Sequence, residues 1–214
     1  MARKTKAEAE LTRHRIVECA RQVFSKDGVT NTSLERIAKE AGVTRGAVYW
    51  HFRDKADLFM AVRTDTGTLL RLSDEAGRDP LHRLELSLRE TLRRLREEDK
   101  SRLTYEVMLW KCEYVGEFST VRDDLMAAGR GFLQEVTALY TEAKTAGLTA
   151  PDLDPGLAAL ETFCLYAGMI KIWLAASPES GLRDQFGGLI EQHVNGRRLS
   201  VGHRLTPPSR SPRK

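Results

Sequence analysis

Apolar residues recur at three- and four-residue steps along almost the whole chain, while the strict alternation that marks a half-buried strand is nearly absent. The breaks fall at Gly, Pro and Asp clusters, where helix caps belong. This pattern predicts an all-α fold of about nine helices. The first runs from Ala7 to Asp27, puts Ile16, Ala20, Val23 and Phe24 on one face, and stops at Gly28. Thr32 and Glu35 have the spacing of a capping box and start a short second helix that reaches Ala41. Gly42 permits a tight turn, Thr44 caps a third helix from Arg45 to Phe52, and Asp54 caps a long fourth helix from Lys55 to Ala76.

Asp79-Pro80 and Asp154-Pro155 each place a cap before a proline at the first helical position, where the missing N–H costs nothing. They open the fifth and eighth helices. The sixth is predicted over Arg102 to Glu117, the seventh over Thr120 to Ala146, the eighth as far as Ser177, and the ninth over Leu182 to Leu199. Residues 201–214, rich in Pro, Ser and Arg with no apolar period, read as a disordered basic tail. The expected division is therefore an N-terminal domain at 1–54, a larger helical domain at 55–200, and the tail.

Composition sharpens this picture. A chain of 214 residues buries a core without staples, and Cys19, Cys112 and Cys164 stand apart from one another and from histidine. Neither a disulfide framework, a metal nor a cofactor is called for. The amino end lacks an apolar signal region, so a cytoplasmic home is expected. Gly156 to Ala176 is apolar over about a membrane's thickness, but Glu161 and Lys171 interrupt it, which favours a helix buried by a core and a partner over a membrane span. The net charge of +4 conceals an asymmetry: residues 1–55 hold 12 Lys/Arg against 7 Asp/Glu, residues 56–192 hold 16 against 23, and residues 193–214 hold 6 against none. A basic lobe on an acidic body confines phosphate attraction to one end.

The stretch TSLERIAKEAGVTRGAVYWHFRDKADLF, Thr32 to Phe59, divides its positions between two duties. Leu34, Ile37, Ala38, Ala41, Val43, Val48 and Phe52 recur at helical spacing and pack the short helices against Val23 and Phe24. Thr44, Arg45, Gly46, Tyr49, Trp50 and His51 remain for the outer face, with Trp50 expected to pack partly inside. Two short helices joined by a Gly-containing turn make a helix-turn-helix, whose second helix fits a major groove. Arg45 is the candidate for guanine O6 and N7, Gly46 lets the backbone approach bases, and Thr44 reaches phosphate or base. Tyr49 and His51 suit flanking phosphates, Ser33 and Lys55 sit at helix N-termini, and Arg3, Lys4 and Lys6 extend the basic end. The competing reading is a short helix pair inside an ordinary bundle.

The same stretch closely resembles the N-terminal signature of the TetR family of bacterial repressors, and MARKTK together with WKCEYVGE at Trp110 to Glu117 resembles the branch that represses multidrug efflux pumps. The resemblance implies a three-helix DNA-binding domain, a C-terminal ligand domain and a homodimer formed by the last two helices. It carries DNA-contact roles onto Ser33, Thr44, Arg45, Gly46, Tyr49, Trp50, His51 and Lys55.

The eighth helix is apolar nearly all round, with Leu157, Leu160, Cys164, Ala167 and Lys171 along one stripe. Phe186, Leu189, Ile190 and Val194 of the ninth complete an expected four-helix dimer interface. The pocket expected from the fourth to eighth helices draws on Met60, Arg63, Gly67 and Leu88, then Met108, Trp110 and Glu113, then Phe132, Gln134, Phe163 and Met169. Ordinary core filling is the alternative for each. A carboxylate inside such a core is costly, so Glu113 pairs with an arginine such as Arg63 or meets a cationic ligand. The expected partners are thus a double-stranded DNA operator, a bulky amphipathic inducer of cationic or aromatic kind, and a second copy of the chain. A ligand-independent architectural protein and a helical enzyme are the rivals, the latter without a visible nucleophile or metal spacing.

Overall fold

Nine α-helices and two short 3-10 turns make up the regular structure of residues 6–66 and 79–199, which the computed structural model describes. In chain order the helices are α1 (Lys6–Asp27), α2 (Leu34–Glu40), α3 (Arg45–His51), α4 (Lys55–Asp65), α5 (Pro80–Glu97), α6 (Asp99–Trp110), α7 (Ser119–Thr145), α8 (Pro155–Ala175) and α9 (Leu182–Asn195). The predicted continuation of α4 to Ala76, Gly67, the basic residues Arg3 and Lys4, and the tail at 201–214 lie outside the described residues.

The caps that punctuate the sequence form as hydrogen bonds. Thr44 accepts from the Ala47 amide at 3.2 Å, Asp54 from Asp57 at 2.7 Å, Asp79 from Leu81 at 2.8 Å, and Asp154 from Gly156 at 2.8 Å. Each contributes about 1 kcal/mol. The start of α2 differs from expectation by one residue. Ser33 is its cap, accepting from the Arg36 amide, while the buried Thr32 hydroxyl donates to the Gly28 carbonyl at 2.6 Å and closes the preceding turn.

Two helix ends also differ. α6 begins at Asp99 and stops at Trp110, well short of Glu117. The Lys111 carbonyl turns away to accept the Val29 amide at 2.9 Å, Tyr114 folds back to donate to the Met108 carbonyl at 2.6 Å, and Gly116 takes φ +56° before the 3-10 turn Gly116–Phe118. α9 ends at Asn195, after which Arg198 forms an isolated antiparallel bridge with Thr149.

Apolar packing gathers into two cores. The first joins α1, α2 and α3 through Ile16, Phe24, Ile37, Val48 and Phe52. It does not stop at residue 54: Leu58, Phe59 and Val62 of α4, Val107 of α6, Phe118 and Val121 belong to it. The second core lies among α5, α7, α8 and α9, around Leu84, Leu88, Tyr140, Trp173 and Ile190. α8 is long and apolar enough to cross a membrane. Here α8 packs along α7, and Ala158, Ala159, Thr162, Met169, Ile170 and Trp173 are its buried residues.

At the junction of α1, α4 and α6 sits Arg21, whose side chain has no exposure to solvent. Its guanidinium donates to Thr104 of α6 at 2.9 Å and to Asp65 of α4 at 2.6 Å, and pairs with Glu18. Lys100 also reaches Asp65, at 2.8 Å, and Arg94 of α5 donates to the Thr66 carbonyl at 2.7 Å. The last turn of α4 is therefore held from three helices. Burial opposes ionisation of Asp65, but the hydrogen bonds from Lys100 and Arg21 outweigh it and hold the carboxyl below the usual range.

A smaller network ties α7, α8 and α9. Thr162 donates to the Ala158 carbonyl, leaving its oxygen to accept from the Tyr140 hydroxyl at 2.8 Å and from His193 Nε2 at 2.9 Å. Burial, helped by nearby Arg197, pushes the His193 pKa down to about 4, so the ring is neutral in the folded protein. Because that value lies below the ordinary 6.5, the stability this histidine contributes is complete above about pH 6.5 and drains as pH falls toward 4. His193→Gln, which keeps an N–H for Thr162, is expected to flatten the loss of stability across this window, as measured by urea unfolding between pH 4 and 7.

Candidate nucleic-acid interface and ligand cavity

The third helix has one buried and one open face. Val48 is wholly buried and Phe52 nearly so, which fixes the rotation of α3 against α1 and α2. Thr44, Arg45, Gly46, Tyr49 and Trp50 consequently face solvent, and His51 is half-buried. Trp50 is 73% exposed, so the expectation that it packs partly inside fails. It shares the helix's outer face, and its only ring contact among the described residues is an edge-on one with neighbouring His51, at 4.5 Å.

Arg45 is pre-aligned on this face. Its guanidinium lies 2.8 Å from Glu35 of α2 and 5.3 Å from the centre of the Tyr49 ring, with the Tyr49 hydroxyl at 3.4 Å. The sequence marked Glu35 as a capping-box residue and not as the partner of Arg45; the signal for that pairing was its place in the first turn of α2, across from the start of α3. Ser33 is exposed, and its oxygen accepts the α2 cap bond. Lys55 behaves otherwise than expected. Its side chain is 15% exposed, and its ammonium donates to the Thr30 carbonyl at 3.1 Å and lies 3.7 Å from Glu117. It ties α4 to the α1–α2 loop and to the 3-10 turn before α7. Arg53 just after α3 is 85% exposed and supplies an outward positive charge the sequence reading passed over.

The larger domain holds a cavity of about 450 Å³ between the last turn of α4 and helices α6, α7 and α8. Arg63, Met108, Phe132 and Phe163 line it as expected, joined by Thr64, Thr66, Tyr105, Leu125, Ala128, Gly129 and Tyr166. Phe132 stacks on Tyr166 at 5.3 Å and meets Phe163 at 5.4 Å. A side chain on Gly129 would press against Phe163 at 3.4 Å, so the glycine leaves that ring its place. The added residues follow helical steps from those expected, Leu125 and Gly129 from Phe132, Tyr166 from Phe163.

Six other expected residues lie elsewhere. Leu88 and Met169 are filling of the second core, and Met60 packs on the first. Gln134 faces outward on α7. Trp110 is half-exposed beneath the Lys171 ammonium at 5.2 Å. Glu113 is exposed, because α6 ends before it and no helix turns it inward. Gly67 is not among the described residues.

On α8, Leu157, Leu160, Cys164, Ala167 and Lys171 form an exposed stripe, extended by Ile172. On α9, Leu189 is exposed, but Phe186, Ile190 and Val194 are buried within the second core, where α9 packs on α5. The open face of α9 is instead Gln185, Gly188, Leu189 and Gln192, the turns' other side.

Two family models match the chain. Residues 16–62 match the bacterial regulatory proteins of the tetR family, and residues 79–196 match the C-terminal region of the MAATS-type transcriptional repressors. The HTH-type transcriptional regulator AcrR of Shigella flexneri is 36% identical over 91% of this chain and 94% of its own length. The crystal structure of NalD, the secondary repressor of the MexAB-OprM multidrug efflux pump in Pseudomonas aeruginosa, superposes with a TM-score of 0.79 at 28% identity, covering 92% of this chain and all of that one. SmeT, repressor of the Stenotrophomonas maltophilia pump SmeDEF, was solved in complex with triclosan, and that chain aligns with a TM-score of 0.76 at 27% identity over 90% of this chain and 93% of its own.

The two faces of the helix-turn-helix separate stability from surface role. Trp50→Ala is expected to leave unfolding free energy within about 0.5 kcal/mol of wild type. Ile37→Ala on the buried side should cost about 2–5 kcal/mol. Urea denaturation followed by circular dichroism distinguishes them, and a large loss for Trp50→Ala would put that ring back in the core.

Proposed function

Given that the chain belongs to the TetR family of transcriptional regulators, we propose that it represses transcription as a homodimer on a palindromic operator and lets go when a small molecule fills the α4–α6–α7–α8 cavity. The observation that carries this reading is the last turn of α4. Arg63, Thr64 and Thr66 line the cavity, and Asp65 between them is bonded to Arg21 of the DNA-binding lobe. Ligand and duplex are thus read through one turn of helix.

Residues 1–54 supply the DNA-reading part and 55–200 the sensing and pairing part. The exposed α3 face enters the major groove, with Arg45 on guanine, Thr44 and Gly46 close to bases, and Ser33, Tyr49, Trp50 and His51 toward the backbone. The α8 stripe and the open side of α9 meet their symmetry mates in a four-helix interface that hides Leu157, Leu160 and Leu189 from water. A two-fold dimer has to set its recognition helices about 34–36 Å apart to enter successive grooves. Movement of α4 changes that spacing, provided the ligand prefers the shifted state. The efflux roles named for NalD and SmeT support control of a multidrug pump, and the triclosan complex of SmeT supports an aromatic inducer. An operator places the protein in the cytoplasm.

Footprinting on the DNA flanking its own gene, followed by titration of antibiotics, dyes and phenols, tests the whole reading: a protected palindrome released by ligand is expected, and no protection on any duplex overturns it. Arg45→Ala is expected to cost about 1–3 kcal/mol on the operator and to relax base preference, with a smaller loss on random DNA. Equal losses in a paired gel-shift titration would remove Arg45 from base readout.

A further inference from the structure

Among the described residues, the charge lining the cavity has the opposite sign to the one the sequence suggested. Glu113, the reason to expect a cationic ligand, is exposed on the loop after α6. Among the described residues lining the cavity, the one charged side chain is Arg63, and no carboxylate joins it. Its guanidinium makes no hydrogen bond or ion pair with another described residue, whereas neighbouring Asp65 is taken up by Arg21 and Lys100. The threonines beside it do not compete as donors: Thr64 donates to the Met60 carbonyl and Thr66 to the Arg63 carbonyl, each at 2.9 Å. The rest of the wall is aromatic or aliphatic, with Phe132 set against both Phe163 and Tyr166.

Resting on the reading of this cavity as the inducer site, we propose that it selects aromatic weak acids, with a flat apolar body against Phe132, Phe163 and Tyr166 and a carboxylate or phenolate on Arg63. A planar guanidinium binds a carboxylate through two parallel N–H bonds, and in a site that excludes water such charge-assisted bonds gain strength. An aromatic cation of the same shape gives up its hydration beside a like charge, with no carboxylate among the described lining residues to meet it, which disfavours it. Arg63 also lies two residues from Asp65, so an anion drawing on its guanidinium pulls on the turn that Arg21 holds.

The test uses two probes of one shape and opposite charge, 2-naphthoate and 2-naphthylmethylammonium, titrated calorimetrically into the full chain. Wild type is expected to bind naphthoate at least on the order of tenfold more tightly than the ammonium. Arg63→Gln should erase that preference, Arg63→Glu should reverse it, and Arg63→Lys should retain its sign. Thermal melts and duplex binding of each variant, measured on the same samples, report whether the fold and the DNA face are intact. Equal or tighter binding of the ammonium to wild type, a preference that survives Arg63→Gln, or no binding of either probe overturns the proposal. Operator binding released by a ligand of another class would leave the repressor reading standing while this one falls.

Discussion

A guanidinium removed from water has to be met by acceptors on several sides, and the arrangement that meets Arg21 holds the rest of the molecule in place. Its partners come from α1, α4 and α6, and Asp65 brings in Lys100 as well. Removing an acceptor would leave the buried Arg21 charge short of a partner, so the network constrains how α1 sits against α4 and α6. At the opposite end of α4, Lys55 on the Thr30 carbonyl and Glu117, together with the Val29–Lys111 backbone bond, performs the same service. α4 is held at both ends, with the cavity opening beside only one of them.

Such a build makes sensing a matter of geometry. The first core runs from Ile16 through Val62 to Val107, Phe118 and Val121, so α4 is packed into one unit with the helix-turn-helix on one side and α6 on the other. Whatever displaces the final turn of α4 must therefore either carry that unit with it or break the bonds of Asp65. In the proposed switch either outcome is what reaches α3, which itself contributes no described residue to the cavity lining.

Local signals in the sequence were enough for the helices and for the surface of α3. Proline after aspartate, glycine at positive φ and the three-to-four spacing of Ile37, Val48 and Phe52 act over a few residues, and the caps at Thr44, Asp54, Asp79 and Asp154 formed where they were read. What depended on distant partners was not legible. α6 stops at Trp110 because its Lys111 carbonyl serves an amide from the α1–α2 loop, and nothing within the segment announces that bond. That single event turned Glu113 outward. Phe186, Ile190 and Val194 have the apolar period of an interface and of a core alike, and only the packing of α9 on α5 decides between them. Arg21 had no sequence signal at all, since its meaning comes from Asp65 and Thr104, far along the chain.

The fate of the positive charges bears on how the protein meets a polyelectrolyte. Composition credits residues 1–55 with 12 Lys/Arg, but Arg21 is sealed inside, Lys55 faces inward, and Arg36 and Arg45 stand beside Asp27, Glu40 and Glu35. Fewer cations than the tally remain to displace condensed counterions from a duplex, so affinity declines less steeply with ionic strength than the charge of the lobe implies. Loose electrostatic adhesion to bulk chromosomal DNA is correspondingly reduced, and in the proposed reading discrimination falls to the short helix whose Arg45 would exchange Glu35 for a base.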